Sequence, residues 1–263
     1  MPTLAERPVS KYIKALVFGP SKKGKTFGAG TFPRPNFFDC DLGIGTLGSK
    51  HFIDKWGDRR KDIQYEQFTE KTLDKRGVPT SHNAFDDVCR YFDSCMTPAK
   101  RDTFDTWVVD TGTSLSAFAM VKALVLLGGN QFKGGHSGTL SEGLLHGLIL
   151  PKIQDYGSER SMIEQFIAMV YSTDKHFLFL CHERETTDEK GNRTALTPLL
   201  TGKGVQAISA MFDDVWYLRS QPRGPDLVRF LQTDGAEQVM AGSRTGLPTG
   251  TLWDYDSIMK ARG

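Results

Sequence analysis

The residues best placed to do chemistry form one contiguous run near the start of the chain. Gly19, Pro20, Ser21, Lys22, Lys23, Gly24, Lys25 and Thr26 match the phosphate-loop pattern G-x-x-x-x-G-K-[ST] without a mismatch. The glycines let the backbone curl until successive N–H groups converge on phosphate oxygens. A helix leaving the loop then points its positive end at the same anion. In that arrangement Lys25 reaches the β- and γ-phosphates, the Thr26 hydroxyl faces Mg²⁺, and Phe27 is the first residue beyond the motif.

A second group of polar residues stands at the ends of apolar runs. Trp107, Val108 and Val109 lead into Asp110, an apolar run ending in a carboxylate that can hold Mg²⁺ directly or through water. In many ATPases a glutamate follows that aspartate and polarises the attacking water. Here Thr111 follows, so a water-positioning carboxylate has to come from elsewhere, or hydrolysis is slow. Asp39 and Asp41 are the candidates, with Asp41 favoured, because they end a neighbouring strand at the sheet edge where nucleotides bind in open α/β sheets. His182 ends another apolar strand and is a candidate sensor of the γ-phosphate. The histidines and cysteines show no metal-ligand spacing, and no G-x-S-x-G elbow is present.

The elements that must carry these residues follow from hydrophobic periodicity. Strands are expected at residues 14–18, 36–40, 62–68, 105–110 and 176–181, and closing strands at 212–219, 227–233 and 237–241. Helices are expected at 25–30, 84–96, 113–127 and 151–170; the first ends at Phe32-Pro33-Arg34-Pro35, since proline cannot continue a helix. Residues 42–48 and 71–81 read as loops. Two long polar stretches, 128–150 and 184–203, interrupt the pattern, the second with a turn at 190–193. Residues 1–13 read as an irregular lead-in and 245–263 as a C-terminal tail, so residues 1–263 form a single α/β domain.

Composition narrows the function classes. With 33 basic and 31 acidic residues the net charge is +2, so any nucleic-acid surface is local rather than global. Cys40, Cys89, Cys95 and Cys181 are scattered, and the apolar settings of Cys40 and Cys181 predict reduced core residues of an intracellular protein. No signal peptide is visible, and no apolar run approaches the roughly 20 residues of a membrane span. A cytoplasmic protein without a membrane partner is expected.

With these residues assembled, the chain resembles the phage-encoded RecA-like P-loop ATPases, a group that takes in phage nucleotide-binding AAA-domain proteins and RecA-like single-strand annealing proteins. The similarity is carried by residues 18–26, 37–41 and 107–110, and by Asp155-Tyr156-Gly157, Leu180-Cys181-His182-Glu183, residues 199–203 and Ala241-Gly242-Ser243-Arg244. It implies a RecA-like fold: a mostly parallel central sheet flanked by helices, with a C-terminal antiparallel extension. It departs from the RecA pattern in having aspartate rather than glutamate after the second strand.

The resemblance further implies two loops that bind single-stranded DNA, one after the Asp110 strand and its helix, and one after the His182 strand. Residues 128–147 and 185–204 occupy those positions. Lys133, His136, Lys190, Arg193 and Lys203 become candidate phosphate contacts, and Phe132 a stacking residue. Lys203 or Arg244 could act as a basic finger on a neighbour's γ-phosphate in a homo-oligomer, ring or filament. The implied function is an ATP- and Mg²⁺-dependent ATPase working in the host cytoplasm on single-stranded DNA in recombination, annealing or replication, alongside a single-strand DNA-binding protein. The rival readings are a small-molecule P-loop kinase and a nucleotide-gated assembly module with little turnover.

Overall fold

The computed structural model describes residues 11–69, 83–131, 153–201, 204–224 and 226–263. In chain order the elements are β1 (Lys14–Gly19), α1 (Lys25–Ala29), β2 (Pro35–Asp39), α2 (Lys50–Trp56), β3 (Gln64–Gln67), α3 (Ala84–Cys95), α4 (Pro98–Arg101), β4 (Thr106–Asp110) and α5 (Gly112–Gln131). There follow α6 (Ile153–Tyr171), β5 (His176–Thr187), β6 (Arg193–Pro198), α7 (Gly204–Ala210), β7 (Asp214–Arg223), β8 (Asp226–Gln232), β9 (Gly242–Ser243), β10 (Thr251–Leu252) and α8 (Tyr255–Arg262).

One sheet joins all the strands among the described residues, in the order β10-β8-β7-β1-β5-β4-β2-β3, with β6 on β5 and β9 on β7. The run from β3 to β7 is parallel, whereas β7–β8 and β8–β10 are antiparallel. This is the expected mostly parallel sheet with a C-terminal antiparallel extension. Its consequence for chemistry lies in the register. Gly19 pairs with His182, Asp110 with Leu180, and Asp39 with Asp110, so the phosphate loop, both acids and the histidine end on one edge.

The central strands are buried on both faces, so they read as unbroken apolar runs, while alternation assigns each side chain to a layer. Leu16, Phe18, Phe38, Val109, Phe177 and Phe179 pack with α3, α5 and α6. Ala15, Val17, Phe37, Val108, Leu178 and Leu180 pack under α1, α2 and α8. Each fully buried large side chain contributes about 1.5–3 kcal/mol. Trp107 anchors the first layer: its ring lies 4.3 Å from that of Phe104 and 5.2 Å from that of Phe92. Cys40 and Cys181 are free and buried.

The opposite edge of the sheet is held by buried polar groups. Lys14 Nζ donates to the carbonyls of Tyr171 and Thr173 at the end of α6, where a cation complements the helix dipole. The N–H of Ile13 donates to His176 Nδ1 at 3.0 Å. Burial lowers the His176 pKa from 6.5 to about 4, and the Arg262 charge adds to the effect. The unfolded chain therefore binds a proton near pH 6.5 that the folded chain refuses until about pH 4. Stability is full above pH 6.5 and is lost as pH falls towards 4. Between pH 7 and pH 5 this one group is expected to cost about 2 kcal/mol. Urea unfolding of the wild type and of His176→Asn, which keeps an acceptor near Nδ1, checks it: the variant should lose less stability over that interval, and parallel losses would clear His176.

Several expectations are corrected. α2 lies in residues 49–61, for which the sequence reading names no element; Ser49 precedes it, and its hydroxyl caps the helix by accepting from the Phe52 N–H. α5 runs to Gln131, through Gly128-Gly129, where a loop was expected. Half of the polar stretch 184–203 is strand: β5 continues past His182 to Thr187 and pairs antiparallel with β6. Its turn lies at Asp188–Asn192, with Gly191 at φ 80° and the Asp188 carboxylate accepting from the N–H groups of Lys190 and Asn192. The outer half of the hairpin, residues 185–187 with Arg193 and Thr194, is exposed, and only Leu196 and Pro198 of β6 are buried, too short an apolar alternation to mark the strand. A strand at 237–241 is instead a short 3₁₀ turn followed by β9. The expected tail carries β10 and α8, and Trp253 is 3% exposed.

Candidate functional site

The site is built on the strand–loop–helix unit of β1 and α1. Gly24 closes the loop at φ 95°, a left-handed conformation that glycine adopts without steric cost. Lys25 then turns inward and is 5% exposed, its Nζ donating to the carbonyls of Gly19 at 2.8 Å and Pro20 at 2.9 Å. Burial lowers the pKa of this ammonium, opposed first by Asp110. Ser21, Lys22 and Lys23 at the tip are exposed, and Gly19 is buried against β5.

The indole N–H of Trp253 braces the loop from the C-terminal segment, lying 3.2 Å from the carbonyl of Gly24 and 3.1 Å from that of Lys25. A Cβ at Gly28 would fall 2.1 Å from this nitrogen, so only glycine fits there.

Thr26 and Asp110 meet. The Thr26 hydroxyl donates to Asp110 Oδ2 at 2.6 Å. Burial pushes the Asp110 carboxyl up to about 6; the Thr26 hydrogen bond pulls it down, and the charge of Asp39 pushes it up. A hydroxyl and a carboxylate side by side, with further carboxylates close by, form a hard-oxygen donor set that a divalent cation would relieve. Among the described residues no three His, Cys, Asp or Glu side chains cluster into a full metal cage. This fits Mg²⁺, which keeps several waters and takes other ligands from substrate phosphates.

The two aspartates after β2 have different surroundings. Asp39 is fully buried, and its carboxylate accepts from the Gly43 N–H at 2.8 Å and from Gln67 Nε2 at 2.9 Å. Its oxygens are committed to the turn that follows. Asp41 faces the cavity above the phosphate loop. Its Oδ1 accepts from the Ser114 hydroxyl at 3.1 Å, and its Oδ2 lies 3.2 Å from His182 Nε2. The other imidazole nitrogen, Nδ1, is buried and has no hydrogen-bond partner among the described residues. The backbone of His182 is tied to α5: its N–H donates to the Thr113 hydroxyl, which donates in turn to the carbonyl of Leu199.

Lys25, Thr26, Asp41, Asp110 and His182 thus line one cavity of about 320 Å³. The expected DNA contacts are less complete. Lys190 and Arg193 sit at the tip of the β5–β6 hairpin, where Arg193 pairs with Glu185 at 3.3 Å. Phe132, Lys133, His136 and Lys203 lie outside the described residues. Arg244 follows β9, beside Asp213 at the start of β7, which is the edge remote from the phosphate loop.

Residues that sequence reading missed are Ser114, Thr113, Trp253 and Arg229, the last of which also lines the cavity. A polar first turn after Asp110 was a visible signal for the first two. Nothing local marks Trp253 or Arg229, because their proximity to the loop is purely tertiary.

No described helix is long and apolar enough to cross a membrane. None of the curated proteins matches this sequence. Among solved structures, a KaiC-like protein from the hyperthermophilic archaeon Pyrococcus horikoshii OT3 is similar over 82% of this chain and 76% of its own, at 12% identity and a TM-score of 0.41. The flagellar accessory protein FlaH from Methanocaldococcus jannaschii is similar over 88% of this chain and 80% of its own, at 9% identity and a TM-score of 0.37. The model of the AAA domain family AAA_24 matches residues 11–245, a span that holds the phosphate loop, the acid strand and the histidine strand. The chain belongs to this AAA domain family.

Proposed function

We propose that the protein is a RecA-type ATPase that binds ATP with Mg²⁺ and couples its hydrolysis to single-stranded DNA. The observation that carries this reading is the convergence of Lys25, Thr26, Asp110, Asp41 and His182 on one cavity, with the strand of His182 continuing into the hairpin that bears Lys190 and Arg193.

In this reading the loop N–H groups and Lys25 hold the phosphates, and Thr26 and Asp110 hold the metal. Mg²⁺ held there would supply positive charge to offset the charge that develops on the phosphates. Asp41, fixed by Ser114, orients the attacking water in place of the glutamate that Thr111 lacks. His182 bonds to Asp41 and reports the γ-phosphate to the hairpin. Asp39 acts one step removed, by shaping the turn that presents Asp41. Phage recombination, annealing or replication is the setting that the motif resemblance favours, with a homo-oligomer as the working form and Lys203 or Arg244 as its basic finger.

A labelled-oligonucleotide titration tests the DNA half. ATP and DNA affinities should be reciprocally coupled, so a non-hydrolysable ATP analogue should shift DNA affinity. Affinity should also fall with salt by about 0.7 log units per phosphate contact on a single strand. Three or four contacts from Lys133, Lys190, Arg193 and Lys203 give an expected slope of roughly −2 to −3, which joint replacement by alanine should flatten. Salt-independent or absent binding in both nucleotide states removes DNA from the account and leaves the nucleotide-gated assembly module.

A further inference from the structure

Glu159 is a buried acid with no part in the nucleotide cavity. It stands on α6 and is 2% exposed. Its Oε1 accepts from two hydroxyls, that of Ser116 on α5 and that of Thr201, three residues beyond the end of β6. Those two hydroxyl oxygens are 2.9 Å apart, so three segments distant in sequence close on one carboxylate oxygen. Burial raises the Glu159 pKa, and the bonds from Ser116 and Thr201 oppose the rise.

Thr201 ends a strap, residues 199–201, that leaves the β5–β6 hairpin. The near end of this strap is tied to His182. The Leu199 N–H donates to the His182 carbonyl at 2.7 Å, and the Leu199 carbonyl accepts from the Thr113 hydroxyl at 2.9 Å. That hydroxyl accepts in turn from the His182 N–H at 3.0 Å. The N–H of His182 is thus held by α5 and its carbonyl by the strap. Ser114 on the same part of α5 donates to Asp41, the carboxylate that His182 Nε2 faces. The start of α5 therefore offers three hydroxyls in a row of tasks: Thr113 to the His182 backbone, Ser114 to Asp41 and Ser116 to Glu159.

We propose that Glu159 is a positioning residue for hydrolysis. By holding Thr201 against Ser116 it locks the strap that fixes the His182 backbone, and so keeps the imidazole in line with Asp41. This role rests on the reading above, in which Asp41 orients the attacking water. An ionised carboxylate suits the task because it offers only acceptors, so both hydroxyls can turn their hydrogens to it at once. Without it, Ser116 and Thr201 can bond only to each other, and α6 releases the strap. A displacement of about 1 Å by a change far from the chemistry can cost about a hundredfold in rate. His182 stands one hydrogen bond behind Asp41, so a smaller loss, about tenfold, is expected here. ATP binding depends on the phosphate loop rather than on the strap and should change little.

Steady-state turnover and calorimetric ATP affinity, both with Mg²⁺ and on the full chain, test this role, with urea midpoints to establish folding. If wild type hydrolyses no ATP, or Asp41→Asn turns over like wild type, the hydrolysis reading fails and takes this inference with it. Otherwise Glu159→Ala should lower kcat about tenfold while KM stays within threefold. Thr201→Val keeps the side-chain shape and removes only the hydroxyl; it should match that loss, and it serves where Glu159→Ala does not fold. Glu159→Gln, whose amide oxygen can accept from both hydroxyls, should hold kcat within threefold of wild type. A general loosening of the fold would cut the rate by the same factor whatever stands at residue 41, whereas a role exercised through Asp41 vanishes with it. Thr201→Val added to Asp41→Asn should therefore change the residual single-turnover rate less than twofold. Three results overturn the inference while Asp41 keeps its role: wild-type kcat in folded Thr201→Val, equal losses in Glu159→Gln and Glu159→Ala, or the full tenfold loss persisting in the Asp41→Asn background.

Discussion

Lys25→Ala is expected to lower ATP affinity by roughly ten- to a hundredfold and to stop turnover, with the fold intact. A hydrogen bond to a charged group contributes about 1.5–3 kcal/mol, and tenfold in affinity corresponds to about 1.4 kcal/mol. The fold should survive because Lys25 stabilises little in the free protein. Its ammonium is buried, which is unfavourable, and its two bonds go to loop carbonyls next to solvent-exposed residues at the tip. Circular dichroism and a urea midpoint establish folding, and calorimetric titration with ATP and Mg²⁺ measures affinity. A folded variant with wild-type affinity and turnover would remove the phosphate loop from the chemistry.

Asp41→Asn is expected to reduce kcat by roughly a hundredfold or more, the usual worth of a positioned proton acceptor, with ATP affinity changed much less. Asparagine can still accept from Ser114 through its oxygen, so the side chain stays in place and the loss isolates the carboxylate's charge and basicity. Two neighbouring acids give contrasting results. Asp39→Asn sets an NH₂ against the donors that now share its carboxylate, costing about 1–3 kcal/mol of stability rather than turnover as such. Asp110→Asn removes an oxygen charge next to Thr26 and should weaken Mg²⁺-dependent nucleotide binding itself. Single-turnover rates at saturating ATP separate the three. Normal turnover in Asp41→Asn together with its loss in a stably folded Asp39→Asn would exchange the two roles.

By itself the sequence determined the parts whose physics is local. The phosphate loop is a short pattern in which glycine freedom, one lysine and one hydroxyl sit at set spacings, and such a pattern is legible without the fold. Strands buried on both faces, such as Trp107-Val108-Val109 and the run from Phe177 to Leu180, announce themselves as unbroken apolar runs. With them came the positions of Asp110, Asp41 and His182 at or just beyond the ends of apolar runs, and hence the candidate site in outline.

What only the tertiary structure decided depends on pairing between distant segments. Asp39 and Asp41 look alike in sequence. Register and the following turn bury one among backbone N–H groups and leave the other facing Ser114 and His182. The hairpin beyond His182 shows little apolar period, because its outer half is exposed and paired by ladder hydrogen bonds while only Leu196 and Pro198 are buried at its base. Trp253 and Arg229 reach the loop only because the antiparallel strands β8 and β10 fold back beside β7 and β1. Such contacts are set by sheet order over hundreds of residues, a distance at which spacing along the chain holds no information.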